Sequence, residues 1–178
     1  MAEEKKEPWL SYLALTTVIL AVCATLSTFK GGGYSTRSVL AQSQASDQWA
    51  YYQAKGIKGN LYDVERERLQ FELDNLPAGT PAATREHYQQ QLKKLGDKVT
   101  RYGNERSQIE QEARKLESIR DAAQRQGKPF GVAVIFLQVA ILISSVAGLF
   151  KRKIIWLAAL PVGVLGLVYF ADGFFLFF

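Results

Sequence analysis

Apolar and polar residues segregate into long blocks along this chain of 178 residues. The stretches 9–29 and 130–150 contain no charged residue, and 154–178 contains only Asp172. A helix needs about 20 predominantly apolar residues to cross the hydrocarbon core of a bilayer. We therefore predict three transmembrane helices, with a long polar segment between the first two and the short link 151–153 before the third.

The polar segment carries a second pattern, in which apolar side chains recur at spacings of three, four or seven residues. This spacing is typical of a coiled-coil helix. In the later part it comprises Tyr88, Leu92, Leu95, Val99, Tyr102, Ile109, Ala113, Leu116 and Ala123. In the earlier part it comprises Ile57, Leu61, Val64 and Phe71.

Between the two patterned parts lies NLPAGTP, residues 75–81, whose two prolines and one glycine predict a turn. Folding the chain about residue 78 pairs Val64 with Leu92 and Ile57 with Val99. Helices that pair in this way run antiparallel. The fold class that we predict is an all-α membrane protein, with an antiparallel coiled-coil hairpin between transmembrane helices 1 and 2.

The predicted organisation follows from these blocks and from Gly31, Gly32 and Gly33, which weaken a helix by about 1 kcal/mol each and so suggest a hinge. In chain order we expect an N-terminal segment 1–8, transmembrane helix 9–29, a Gly-rich hinge 30–35, a hairpin 36–126, transmembrane helix 130–150, a loop 151–153, and transmembrane helix 154–178 with an apolar C-terminal tail.

Basic residues in short loops remain on the cytoplasmic side of a membrane. Lys5, Lys6 and the link 151–153 are all basic, and three crossings place them on the same side. We therefore predict a multi-pass membrane protein with residues 1–8 and 151–153 in the cytoplasm. The hairpin is expected on the opposite side, which in a bacterium is the periplasm or the cell exterior.

The stretch ASDQWAYYQAK, residues 45–55, is unusually rich in aromatic and hydrogen-bonding side chains. The fold about residue 78 brings Arg106 opposite Ala50 and within one turn of Asp47, which predicts an Asp47–Arg106 ion pair. We expect the stretch to contact a second subunit. A ligand cleft formed by Trp49, Tyr51 and Tyr52 is the alternative. The candidate contact residues are Asp47, Gln48, Trp49, Tyr51, Tyr52, Arg106 and Gln138, the last because a mid-bilayer amide needs a polar partner.

Two motifs near the first apolar block also resemble a known family. STFKGGGYSTR, residues 27–37, and QASDQWAYYQAK, residues 44–55, resemble the signature of an uncharacterised bacterial membrane-protein family catalogued as domain of unknown function 4337. The resemblance extends over nearly the whole chain. It implies an inner-membrane protein with a helical extramembrane segment, and it brings no catalytic residues.

Charge and composition exclude several function classes. The net charge is +5, but residues 30–129 mix 17 basic with 13 acidic residues, which is typical of a solvated helix surface rather than a nucleic-acid-binding patch. The single cysteine, Cys23, and the single histidine, His87, provide no metal cluster. With no nucleophile–base pair either, we expect no enzyme activity, no cofactor, no metal and no nucleic-acid partner.

The function that these features favour is a homo-oligomeric structural or scaffold protein, anchored in the lipid bilayer, that presents periplasmic hairpins. A periplasmic protein partner is left open. The alternative is an oligomeric channel or transport-accessory protein, with a pore lined by the transmembrane helices.

Overall fold

The computed structural model describes residues 8–177, which are helical nearly throughout and contain no strand. Helix α1 spans Pro8–Asp74, α2 spans Ala82–Leu149 and α3 spans Lys153–Phe175. The segment 75–81, where the sequence predicts the turn, connects α1 to α2. Each of the three helices contains a stretch that is long and apolar enough to cross a membrane.

The described residues divide into two compact units. The three-helix unit consists of 8–40 and 119–177, and therefore includes all of α3. The two-helix unit consists of Ala41–Ser118, in which the second part of α1 is joined through the turn to the first part of α2.

The main buried cluster of the three-helix unit is made by α1 and α2, and glycines on α3 allow α3 to approach it. Leu20, Ala24, Ala133, Leu137 and Ala140 form the buried cluster. A β-carbon added at Gly166 would lie 2.7 Å from Leu137 Cγ, and one added at Gly173 would lie 2.7 Å from the Phe130 ring. Small residues at such positions let helix backbones pack closely, as is common between membrane helices.

Phe130 is the centre of an aromatic cluster in the same unit. Its ring is 1% exposed and lies 5.2 Å from the Phe174 ring, 6.0 Å from the Tyr34 ring and 6.4 Å from the Phe170 ring, measured between centroids. All three helices contribute to this cluster, which therefore links the first part of the chain to its last.

The predicted hinge at 30–35 is not a break, because α1 continues through it. Helix α2 likewise continues through 127–129, although it contains Pro129. Close packing explains the continuity at the glycines. A β-carbon at Gly31 would lie 3.3 Å from Phe130 Cβ, and one at Gly127 would lie 3.2 Å from Tyr34 Cβ. The helices approach one another at these glycines, and tertiary packing of this kind outweighs a weak helix propensity.

In the two-helix unit, contacts between α1 and α2 run antiparallel. Tyr62 stacks on Tyr102, and Trp49, farther from the turn, bonds to Glu117. All nine apolar residues of the predicted α2 pattern are buried or half-buried. On α1, however, Ile57, Leu61, Val64 and Phe71 are 63–70% exposed, so the predicted seam on α1 is wrong.

The face that α1 turns toward α2 is built from small and aromatic residues instead. Ala41, Ala45 and Gly56 are buried, and Tyr52 and Tyr62 are half-buried. Arg106 lies against Gly56, where the fold about residue 78 predicted Ala50. The observed register therefore differs from the predicted one by six residues, or about 9 Å along the helix.

Candidate functional site

The stretch 45–55 lies on α1 of the two-helix unit, and its tryptophan is held by α2 of the same chain. Trp49 Nε1 donates a hydrogen bond to Glu117 Oε1 at 3.1 Å. The Tyr52 ring meets the Trp49 ring edge-on at 5.4 Å, and Arg114 Cζ lies 5.9 Å from the Trp49 centroid. The indole N–H of the half-buried Trp49 thus has an acceptor, which Glu117 supplies.

The next turn of α1 carries an ion pair that joins the two helices. Lys55 Nζ lies 2.6 Å from Glu105 Oε2, and Arg101 Nε lies 2.8 Å from Glu105 Oε1. The hydrogen bond to Lys55, followed by that to Arg101, lowers the pKa of Glu105 below its ordinary value of 4.5. The hydrogen bonds to Glu105 and then to Tyr51 raise the pKa of Lys55 above 10.5.

Aromatic rings and cations alternate beyond this pair. Lys55 Nζ lies 5.2 Å from the Tyr51 ring centroid and 5.3 Å from the Tyr102 centroid. Tyr102 in turn stacks on Tyr62 at 5.6 Å, and Lys98 Nζ lies 4.6 Å from the Tyr62 centroid. Cations placed over ring faces in this way are attracted to the electron-rich π system.

The predicted Asp47–Arg106 ion pair does not form. The Arg106 guanidinium lies 4.4 Å from the Tyr52 ring centroid, and Asp47 is exposed. The six-residue difference in register is the cause, because Arg106 packs at Gly56 and Tyr52 rather than at Ala50. Arg106 Nε is buried and has no hydrogen-bond partner in the described part of the chain.

The remaining candidate residues of the stretch point in different directions. Tyr51 is 51% exposed, whereas Gln48, Trp49 and Tyr52 are half-buried. The faces of Trp49 and Tyr52 carry arginines of their own chain. These rings therefore join α1 to α2, which is a packing role and not that of an open ligand cleft. We call the contacts of α1 with α2 in this region the aromatic–ionic seam. It comprises Trp49, Tyr52, Lys55 and Tyr62 on α1 and Tyr102, Glu105, Arg106, Arg114 and Glu117 on α2.

A second feature of the two-helix unit is an apolar row that the rest of the chain does not cover. We call Ile57, Leu61, Val64 and Phe71 the outer stripe. The four residues follow coiled-coil spacing and are 63–70% exposed. The apolar spacing in the sequence predicted this row, but the prediction packed it against α2 of the same chain. The signal that was missed is the spacing of Tyr52, Gly56 and Gly59, which marks the face in contact with α2.

In the three-helix unit, Gln138 is exposed on α2, inside the apolar stretch 130–150. Gln138 therefore belongs to a different compact unit from the other candidate residues of the sequence analysis. The structure directs this side chain away from the chain's own core. Among residues 8–177, no group of three or more His, Cys, Asp or Glu side chains is arranged to hold a metal ion.

These observations define the class of protein: an all-α chain with three helices apolar enough to span a membrane and a polar two-helix unit. The sequence matches the family described as Domain of unknown function (DUF4337) over residues 9–176, so the chain belongs to that family. No curated protein and no solved structure matches it significantly.

Proposed function

We propose that this protein is a homo-oligomeric scaffold of the bacterial inner membrane, which crosses the bilayer three times and presents its two-helix units in the periplasm. The observation that carries the proposal is the exposure of the outer stripe. The aromatic–ionic seam supports it, because the seam holds each two-helix unit together and leaves the outer stripe free for another chain.

Membrane insertion is supported by what the three-helix unit exposes. Large apolar side chains cover the outside of all three helices, among them Leu15 and Val18 on α1, Leu142 on α2 and Val164 on α3. Their exposed fractions range from 57% to 65%. Water is a poor environment for such a surface, whereas lipid chains cover it at no cost.

Lipid does not account for the outer stripe, which lies in the polar segment of the chain. Fully burying an exposed side chain of this size contributes roughly 1.5–3 kcal/mol. About two thirds of each side chain is exposed, so the four residues together favour association by roughly 4–8 kcal/mol before its entropic cost. An exposed apolar row of this kind marks an interaction surface.

A second copy of the chain is the partner that we propose for the outer stripe. In the two-helix unit, α2 exposes no large apolar side chain, and those that are exposed all lie on α1. The complementary apolar surface that the chain itself offers is therefore the outer stripe of another copy. Contacts between identical surfaces are the usual basis of symmetric oligomers.

The mass of the detergent-solubilised protein tests the proposal. We expect a multiple of 19.9 kDa for the wild type and a shift toward 19.9 kDa for the double variant Leu61→Gln, Val64→Gln. The matched control is Asn60→Gln, Glu67→Gln, which changes two exposed residues on the same part of α1 and should keep the wild-type mass. A wild-type protein of 19.9 kDa would exclude the homo-oligomer.

A channel or transport accessory remains the second candidate, and Gln138 is the observation that favours it. An amide exposed within an apolar helix needs a polar partner, which is either another helix or the water of a pore. Conductance across a bilayer that contains the purified protein, lost in Gln138→Leu, would support the pore. If the wild type shows no conductance and Gln138→Leu reduces the oligomer mass, the result would support a contact between helices instead.

A further inference from the structure

The three-helix unit contains an open groove between α1 and α2, distinct from the outer stripe. Its volume is about 680 Å³, and it is lined by residues between Ser27 and Val39 on α1 and between Ala123 and Val134 on α2. Volumes of 300–1,000 Å³ are typical of small-molecule sites.

Glycines keep the groove open. Gly32 on α1 and Gly131 on α2 both line it, and a β-carbon added at either would meet no atom within 4 Å. The space beside these backbones is therefore accessible to a ligand, and the packing of α1 on α2 does not use it.

The two ends of the groove differ from each other in polarity. At one end, Ser35 and Ser38 on α1 and Gln124 on α2 lie in the polar part of the sequence. At the other end, Ser27 and Val134 lie within the charge-free stretches 9–29 and 130–150. A molecule that filled the groove would therefore need a polar part and an apolar part.

Two polar groups of the groove point to the chemistry of such a molecule. Ser27 is fully buried, and its hydroxyl has no hydrogen-bond partner among residues 8–177. A buried hydroxyl without a partner is costly, so a ligand acceptor would stabilise it. Lys128 also lines the groove and is exposed.

The net positive charge of the polar segment lies in the parts of α1 and α2 that contain this groove, and Lys128 is the basic residue that lines it. Residues 27–40 and 119–134 hold five basic residues and one acidic residue, and that acid, Asp121, is paired with Arg120. The two-helix unit 41–118, in contrast, holds twelve basic and twelve acidic residues. The excess positive charge of the polar segment thus lies beside the apolar stretches, where anionic lipid headgroups attract it.

We propose that the groove binds one anionic phospholipid. Lys128 contacts the phosphate, the Ser27 hydroxyl donates to an ester carbonyl of the glycerol backbone, and an acyl chain follows the groove past Gly131 to Val134. The ligand's phosphate thus lies at the polar end, and its chain lies among the apolar residues.

Native mass spectrometry of the full-length protein, incubated in detergent with phosphatidylglycerol or with phosphatidylcholine, tests this assignment. We expect one tightly bound phosphatidylglycerol per chain and at least tenfold weaker retention of phosphatidylcholine. Gly32→Leu places a side chain in the groove and should reduce phosphatidylglycerol retention about tenfold. Lys128→Gln should reduce it about fivefold, since one basic residue near an anionic surface has an effect of this size.

Gly33→Leu is the matched control. Gly33 has the same helical surroundings as Gly32 and nothing within 4 Å of an added β-carbon, but it does not line the groove. Equal loss of lipid in the two leucine variants would overturn the proposal, as would equal retention of both lipids by the wild type.

Two further results would identify a different occupant and would also overturn the proposal. If 10 mM inorganic phosphate displaced the lipid completely, the site would be one for free phosphate. If Gly32→Leu changed the subunit mass but left lipid retention unchanged, a helix of a second copy would occupy the groove. Because lipid is counted per chain, the assignment does not depend on the oligomer proposed above.

Discussion

Gly56 of α1 lies directly against Arg106 of α2: a β-carbon at position 56 would stand 3.3 Å from both Cζ and Nε of the arginine. The guanidinium fills the space that the glycine leaves and stacks on Tyr52 at 4.4 Å. The absence of a side chain at Gly56 thus lets Arg106 pack against α1, and this contact is one of those that define the register of the two helices.

Gly56→Leu should therefore destabilise the two-helix unit, although leucine is the better helix former. A larger side chain must displace Arg106 or separate the helices, and overpacking of this kind costs about 1–3 kcal/mol. Gly103→Leu is the control, because a β-carbon at Gly103 meets nothing within 4 Å. We expect a lower thermal midpoint by circular dichroism for Gly56→Leu and an unchanged or higher one for Gly103→Leu. The same shift in both variants would contradict the close contact.

The apolar rows of α1 and α2 show which contacts of the two-helix unit the sequence predicts. On α2, the apolar row is the contact face, so its spacing predicted the buried residues. On α1, the apolar row points outward, and the contact face consists of alanine, glycine and tyrosine. Apolar periodicity predicts that a row of side chains is buried. It does not show whether the same chain or another molecule buries it. Pairing the two apolar rows shifted the register by six residues and produced an Asp47–Arg106 pair that the structure does not contain.

The glycines at 31–33 show a related limit. Helix propensity alone favours a break there, whereas Gly31 packs against Phe130 in a continuous helix. That contact joins residues about a hundred positions apart, and local propensity contains no information on it. Whether a glycine marks a hinge or a close contact depends on its neighbours in space.

In the three-helix unit, Gly166→Ala should destabilise the packing of α3. The added methyl would lie 2.7 Å from Leu137 Cγ and 3.0 Å from the Leu137 backbone nitrogen, which cannot move independently of α2. We expect a loss of about 1–3 kcal/mol. Thermal aggregation in detergent measures it. Gly33→Ala, where the new methyl meets nothing, should be as stable as the wild type or more stable. Wild-type behaviour of Gly166→Ala would mean that α3 packs elsewhere.

The Lys55–Glu105 pair predicts how the stability of the two-helix unit depends on pH. The pKa of Glu105 is lowered in the folded state, so its contribution is complete above 4.5 and is lost as the pH falls below that value toward the folded-state pKa. The raised pKa of Lys55 gives a contribution that is complete below 10.5 and is lost at higher pH.

Thermal midpoints between pH 3 and pH 7 test this dependence. Glu105→Gln should have a lower midpoint than the wild type at pH 7, and the difference should shrink as the pH falls below 4.5. Glu67→Gln, an exposed substitution, serves as the control and should follow the wild type throughout. A difference between Glu105→Gln and the wild type that stayed constant with pH would show that the carboxylate charge has no part in it.

Contact between outer stripes predicts a specific crosslinking pattern. In a Cys23→Ser background, Leu61→Cys should form a disulfide-linked dimer on mild oxidation, because two outer stripes bring these positions together. Asn104→Cys, on an exposed part of α2, should remain monomeric on a denaturing gel. Equal dimer yields from the two positions would indicate random collision, and dimers from Asn104→Cys alone would place the interface on α2.

The predicted orientation in the membrane depends on the basic residues of the short loops, and a direct measurement tests it. Lys30, Arg37, Arg120, Arg125 and Lys128 flank the apolar stretches on the side of the two-helix unit, and five others, Lys5, Lys6, Lys151, Arg152 and Lys153, flank them on the opposite side. The first five belong to the segment 30–129, and charges in so long a segment have little influence on orientation, so the five residues of the short loops predict it. In a Cys23→Ser background, Gly79→Cys in the exposed turn should react with an impermeant maleimide added to intact spheroplasts, if the two-helix unit is periplasmic. Arg152→Cys should react only after the membrane is permeabilised. The reverse labelling pattern would place the two-helix unit, the outer stripe and the lipid groove's polar end in the cytoplasm.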